Sequence, residues 1–132
     1  MARTGQPRLV YLDTHVVMWL HDGLTDRLSP RAMKEIERGQ LYVSPMAELE
    51  IQYLHEIGRF RPTAEEACDL LAADLGLQRS DPSFRAVVQT ARALLWTRDP
   101  FARLIVAETL LSGAHLITKD QTIRKHCKRA VW

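Results

Sequence analysis

Apolar and polar positions alternate along this chain between two kinds of segment. Short apolar runs at Leu9–Leu12, Leu41–Val43 and His115–Thr118 predict buried strands. Longer segments with apolar residues three and four apart predict helices. After the first strand, Val16, Val17, Trp19 and Leu20 have helical spacing, with Thr14 as the expected N-cap. Ser29-Pro30 opens a second helix, carrying Ala32, Met33 and Ile36 and ended by Gly39; Ser44-Pro45 opens a third, carrying Met46, Leu49, Tyr53, Leu54 and Ile57 and ended by Gly58. Arg61 to Leu71 predicts a fourth, with Thr63 as cap and Glu66 at its third position. A short strand is expected at Leu75–Gln78, then a helix from Asp81-Pro82 through Phe84, Val87, Val88, Ala91 and Leu94 or Leu95. Asp99-Pro100 opens a helix that is apolar on a broad face and ends at Gly113; a basic helix from about Gln121 to Cys127 and a last strand at Ala130–Trp132 close the chain. Strands alternating with helices in this way argue for a mostly parallel sheet covered on both faces.

Composition narrows the class. With 132 residues, 46% hydrophobic and 26% charged, the chain has the size and make-up of one globular domain. A short polar tail, residues 1–8, is expected before a single domain spanning residues 9–132. No run approaches the roughly 18 apolar residues of a membrane span, and the tail has no apolar core of a signal peptide behind it. Cys68 and Cys127 show no disulfide framework or metal-ligand spacing, so both read as reduced thiols in a cytoplasmic protein. A net charge of +2 does not announce a nucleic-acid binder. Its distribution is more telling: Lys119, Arg124, Lys125, Lys128 and Arg129 face a single acid, Asp120, over the last basic stretch.

The acids carry the chemistry. Asp13 and Asp120 each follow an apolar strand at its carboxyl end, where open parallel sheets place their ligand crevice. Glu48 lies one turn into the helix after another strand, and Asp99 starts the broad apolar helix. Carboxylates drawn from four distant places to one edge repel one another unless a cation offsets them, and an all-oxygen set suits Mg²⁺ or Mn²⁺ rather than Zn²⁺. Such a site hydrolyses phosphodiesters by activating water and steadying the leaving oxygen. Each acid also has a plainer role. Asp13, Asp99 and Asp120 suit helix caps, and Glu48 suits a first-turn acid favoured by the helix dipole. Glu50 is the rival to Glu48 and, two positions on, faces away from it. Thr14 and Thr118 can hydrogen-bond a carboxylate or a metal's water, or cap. The five histidines show no ligand spacing and read as surface or packing residues.

The ordered set Leu12-Asp13-Thr14-His15, Glu48, Asp99-Pro100-Phe101-x-Arg103 and Thr118-x-Asp120 resembles the PIN-domain family, most of all its VapC-type toxins. The resemblance covers nearly the whole chain after the tail. It implies a three-layer α/β/α sandwich. It also implies an endoribonuclease dependent on Mg²⁺ or Mn²⁺, a homodimer silenced by a cognate antitoxin. By the same resemblance Asp13, Glu48 and Asp120 match the first, second and fourth site acids. The third acid of the family's segment falls at position 102, which is Ala102; Asp99 matches the segment's first Asp. A methyl group binds no cation. Ala102 reads either as an aspartate replaced to silence the site or as a variant in which Asp99 or water takes its place, and either way metal binding should be weakened.

Arg103, Lys119, Arg124 and Lys125 are candidates to track RNA phosphates, or are solvated surface charges. Trp19 and Met18 read as core. Two other readings stay open. One is a PIN-like module that grips RNA or an antitoxin without cutting, which Ala102 favours. The other is a phosphate-transfer enzyme of the haloacid-dehalogenase type, against which stands His15 where that pattern needs a second Asp.

Overall fold

A computed structural model describes residues 7–132. Five strands form one sheet: β1 (Leu9–Leu12), β2 (Gln40–Val43), β3 (Gln78–Arg79), β4 (His115–Ile117) and β5 (Ala130–Val131). All pairings are parallel, in the order β3-β2-β1-β4-β5. Seven helices connect them: α1 (Thr14–His21), α2 (Pro30–Arg38), α3 (Pro45–Glu56), α4 (Ala64–Leu75), α5 (Phe84–Ala91), α6 (Pro100–Leu111) and α7 (Gln121–His126). Successive side chains of a strand point to opposite faces. Val10, Tyr11 and Leu12 are all buried, so helices cover β1 on both sides, as the expected α/β/α sandwich requires.

The order of the strands fixes where a ligand can sit. From β1 the chain moves outward to β2 and β3, then returns to the other side of β1 to lay down β4 and β5. The sheet therefore has its switch point between β1 and β4, and a crevice opens outside their carboxyl ends. Leu12 pairs with Ile117 across that boundary, and the Asp13 N–H donates to the Ile117 carbonyl at 3.0 Å.

Caps account for most of the helix starts. Ser29, Ser44 and Thr63 accept backbone N–H groups as expected, and Thr63 forms a capping box with Glu66. Several boundaries differ from the sequence pattern. Asp13, not Thr14, caps α1, and Thr14 is its first residue. α4 runs on through Leu75 until Gly76 turns left-handed at φ 71°, which shortens the next strand to Gln78–Arg79. α5 starts after Ser83 and stops at Ala91, short of Leu94 and Leu95. Gly39 ends α2 without a left-handed turn. It is there for room, since a Cβ would meet Val10 Cγ2 at 2.5 Å.

Of the expected tail, residues 1–6 lie outside the described residues. Arg8 is tied to the domain: its carbonyl accepts the Gln40 N–H and its guanidinium pairs with Glu35 at 3.0 Å. Among the described residues no helix is long and apolar enough to cross a membrane. Both cysteines are buried and free.

Candidate functional site

At the switch point lies a hollow of about 280 Å³ lined by Asp13, His15, Val16, Trp19, Lys119 and Asp120. Asp13 arrives from the end of β1 and Asp120 from the turn after β4. Both are held by the backbone they cap. Asp13 Oδ1 accepts the Thr14 N–H at 2.9 Å, and Asp120 Oδ1 accepts the Ile123 N–H at 2.9 Å. The capping role and the site role are thus filled by the same carboxylates, one oxygen being spent on the helix.

Thr118 links the two acids. Its buried hydroxyl donates to Asp13 Oδ2 at 2.6 Å and accepts the Asp120 N–H at 3.1 Å. Thr14 links Asp13 to a further acid, for its hydroxyl donates to Glu50 Oε1. Burial pushes the Asp13 carboxyl above its ordinary value. Thr118, the Thr14 N–H and His15 oppose that rise, and Asp120 adds to it. Glu50 is raised in the same way by burial, with Thr14 opposing and the charges of Asp13 and Asp99 adding. Asp99 caps α6 through the Phe101 N–H at 3.0 Å, and its field reaches Glu50.

Glu48 is the residue that sequence reasoning misplaced. Its carboxylate pairs with Arg79 at 3.4 Å and stands near Glu108, away from Asp13. The reason is topological. Ala47 and Ile51 form the buried stripe of α3, and Glu48 and Glu50 flank it on opposite sides. β3, which carries Arg79, lies beyond β2 from β1. The Glu48 flank therefore meets the sheet's outer edge, and the Glu50 flank meets α1 and the switch point. Helical spacing shows that only one of the two can face Asp13; the strand order decides which.

The Arg103 guanidinium donates to the Ala91 carbonyl at 3.1 and 3.3 Å and reaches that of Arg92, so it ties off the end of α5 instead of standing free as a surface charge. His15 is exposed, in keeping with its reading as a surface residue, and also lines the hollow. Lys119, Arg124 and Lys125 are exposed as expected, and Lys119 also lines the hollow. Trp19 packs on the core as expected and lines the hollow as well.

The donor set is suited to a hard cation in kind. Asp13, Glu50, Asp99 and Asp120 take part in none of the ion pairs among the described residues, which join Arg8 to Glu35, His21 to Asp22, and Arg79 to Glu48 and Asp69. Asp99 and Asp120 are exposed, but Asp13 and Glu50 are half-buried, and carboxylates drawn in from water without an ion-pair partner are costly unless a cation is supplied. In number the set falls short: among the described residues no three His, Cys, Asp or Glu side chains stand close enough to grip one ion. Ala102, in the first turn of α6 one turn from Asp99, packs its methyl against the main core at the place where the sequence pattern expects another acid.

Comparison with known proteins agrees with this architecture. No curated protein matches the sequence. Among solved structures, the crystal structure of VapBC2 from Rickettsia felis bound to a DNA fragment from their promoter is similar, with a TM-score of 0.64 at 13% identity, over 93% of this chain and 96% of that one. That similarity speaks for the fold. The PIN domain model matches residues 10–129, nearly the entire described domain. The chain belongs to the PIN-domain family.

Proposed function

We propose that this protein is the toxin of a toxin–antitoxin pair of the VapC type, an endoribonuclease dependent on Mg²⁺ or Mn²⁺ whose activity is weakened by Ala102. The observation that carries the reading is the pair Asp13 and Asp120 at the β1–β4 switch point, joined through Thr118, with Glu50 tied to Asp13 through Thr14 and none of the three in an ion pair. Membership of the PIN family and the similarity in fold to VapBC2 support it. By the same reading its partners are a cognate antitoxin, an RNA substrate and a second copy of the chain, and its place is the cytoplasm.

Asp13 and Asp120, which line the hollow, are the acids that would contact the cation, with Glu50 tied to Asp13 through Thr14 as a third acid beside them and Asp99 near Glu50; Glu48 is left out of the set. A bound Mg²⁺ or Mn²⁺ would supply water activation and offset charge on the leaving oxygen. The chain's own residues do the positioning. Thr118 fixes the rotamer of Asp13 and, through the Asp120 N–H, the turn that carries Asp120. Thr14 fixes Glu50. Lys119, at the same hollow, suits a phosphate of the strand being cut.

The gap at Ala102 favours a second reading, a PIN domain that grips RNA or an antitoxin without cutting. RNA cleavage with Mn²⁺ by the unaltered chain and by Ala102→Asp separates the two. A nuclease with one missing ligand cuts slowly and gains rate on Ala102→Asp. A pure binder gains none, and that result would remove the nuclease reading.

A further inference from the structure

The hollow has a second half that the acids do not use. His15 and Trp19 stand four residues apart on α1, so they share one helical face. Their rings lie 6.0 Å apart at 47°. Trp19 is fixed from behind, since it packs on the main core and tilts against Trp132 with centroids 6.2 Å apart. The Lys119 ammonium stands 6.0 Å from the centre of the Trp19 ring. All three line the same space as Asp13 and Asp120.

We propose that His15, Trp19 and Lys119 form a subsite for one unpaired nucleobase and its phosphate, beside the acids. The inference rests on the nucleic-acid reading of the hollow and specifies how the strand would be held. An indole locked by packing offers a flat apolar surface at little entropic cost, and stacking on such a surface is indifferent to base identity because every base has a π-face. Lys119 supplies a charge for the adjoining phosphate, at the distance at which it can also contact the indole. A base inside a duplex has both faces covered by its neighbours and cannot use the indole, so the subsite selects single strands or bases turned out of a stack.

The test reads Trp19 directly. The chain has three tryptophans, so Trp96→Phe with Trp132→Phe leaves Trp19 as the sole indole. This protein is titrated at low salt with EDTA against a short oligoadenylate, single-stranded or annealed to oligouridine. The single strand should quench the fluorescence and the duplex should not. In the otherwise unaltered chain Trp19→Leu should weaken binding about tenfold. His15→Ala and Lys119→Gln change exposed side chains and should each weaken it several-fold without shifting thermal unfolding; they decide the matter if Trp19→Leu does not fold. Absent quenching, equal quenching by the duplex, or binding untouched by both exposed substitutions overturns the subsite. Selective binding by a protein that cuts no RNA even as Ala102→Asp leaves the subsite standing and removes the nuclease reading. Cleavage by Ala102→Asp with no response at Trp19 removes the subsite alone.

Discussion

Thr118 and Asp13, 105 positions apart in the chain, are joined by a hydrogen bond of 2.6 Å between the threonine hydroxyl and a buried carboxylate oxygen. The same hydroxyl accepts the Asp120 N–H, so one side chain sets the geometry of both strand-end acids. Thr118→Val keeps the shape and removes the hydroxyl. It should lower stability by about 1–3 kcal/mol, the cost of leaving buried polar groups unmatched, as read by urea unfolding. Thr118→Ser should recover most of that loss. Equal stability of the valine variant would mean that water replaces the hydroxyl without cost.

A second buried acid lies outside the hollow. Glu108 on α6 is 2% exposed, accepts the Ser80 hydroxyl and neighbours Tyr11. Burial pushes its carboxyl above the ordinary value, with Ser80 and Tyr11 opposing. The folded state therefore keeps this proton at pH values where the unfolded chain has lost it. The stability that proton contributes is present at and below the unfolded value and is lost as pH rises through the folded one. Glu108→Gln should flatten that decline and be the more stable protein at neutral pH. Unfolding midpoints measured from the acid range to neutrality check this; parallel profiles for the two proteins would contradict it.

The basic residues divide into two kinds. Arg103 holds the carbonyls at the end of α5, so Arg103→Ala should cost about 1–3 kcal/mol of stability, seen in thermal or urea unfolding. Arg124 and Lys125 are exposed in the last turn of α7. Their replacement by alanine should leave unfolding unchanged and reduce the salt dependence of RNA binding by about one phosphate contact each. An unchanged salt slope would make them ordinary surface charge.

How far the sequence carries the account differs from residue to residue. The strand at Leu9–Leu12, the serine caps at Ser29 and Ser44, and the acids at Asp13 and Asp120 are local signals, and parallel topology alone places those two acids at the ligand edge. Glu50 is not local. Its assignment over Glu48 depends on β3 lying outside β2, which no spacing within α3 reveals. The end of α5 is likewise set from afar. The apolar rhythm continues to Leu94 and Leu95, but Arg103 takes the Ala91 and Arg92 carbonyls and the chain turns there, leaving Leu95 69% exposed. Trp19 reads as core by its spacing and is core, yet the switch point also makes it part of the hollow's wall.

The central claim is that acids from separate parts of the chain are drawn to one cation site, which Ala102 leaves short of a ligand. Mn²⁺ binding measured by calorimetry tests it most directly. Ala102→Asp should bind Mn²⁺ more tightly than the unaltered chain. Adding Glu50→Gln should cost that affinity more than the roughly 10–100-fold expected for losing a mere hydrogen-bonding partner, and adding Glu48→Gln should leave it within a few-fold. No gain on Ala102→Asp, or a gain abolished by Glu48→Gln and untouched by Glu50→Gln, would contradict the account.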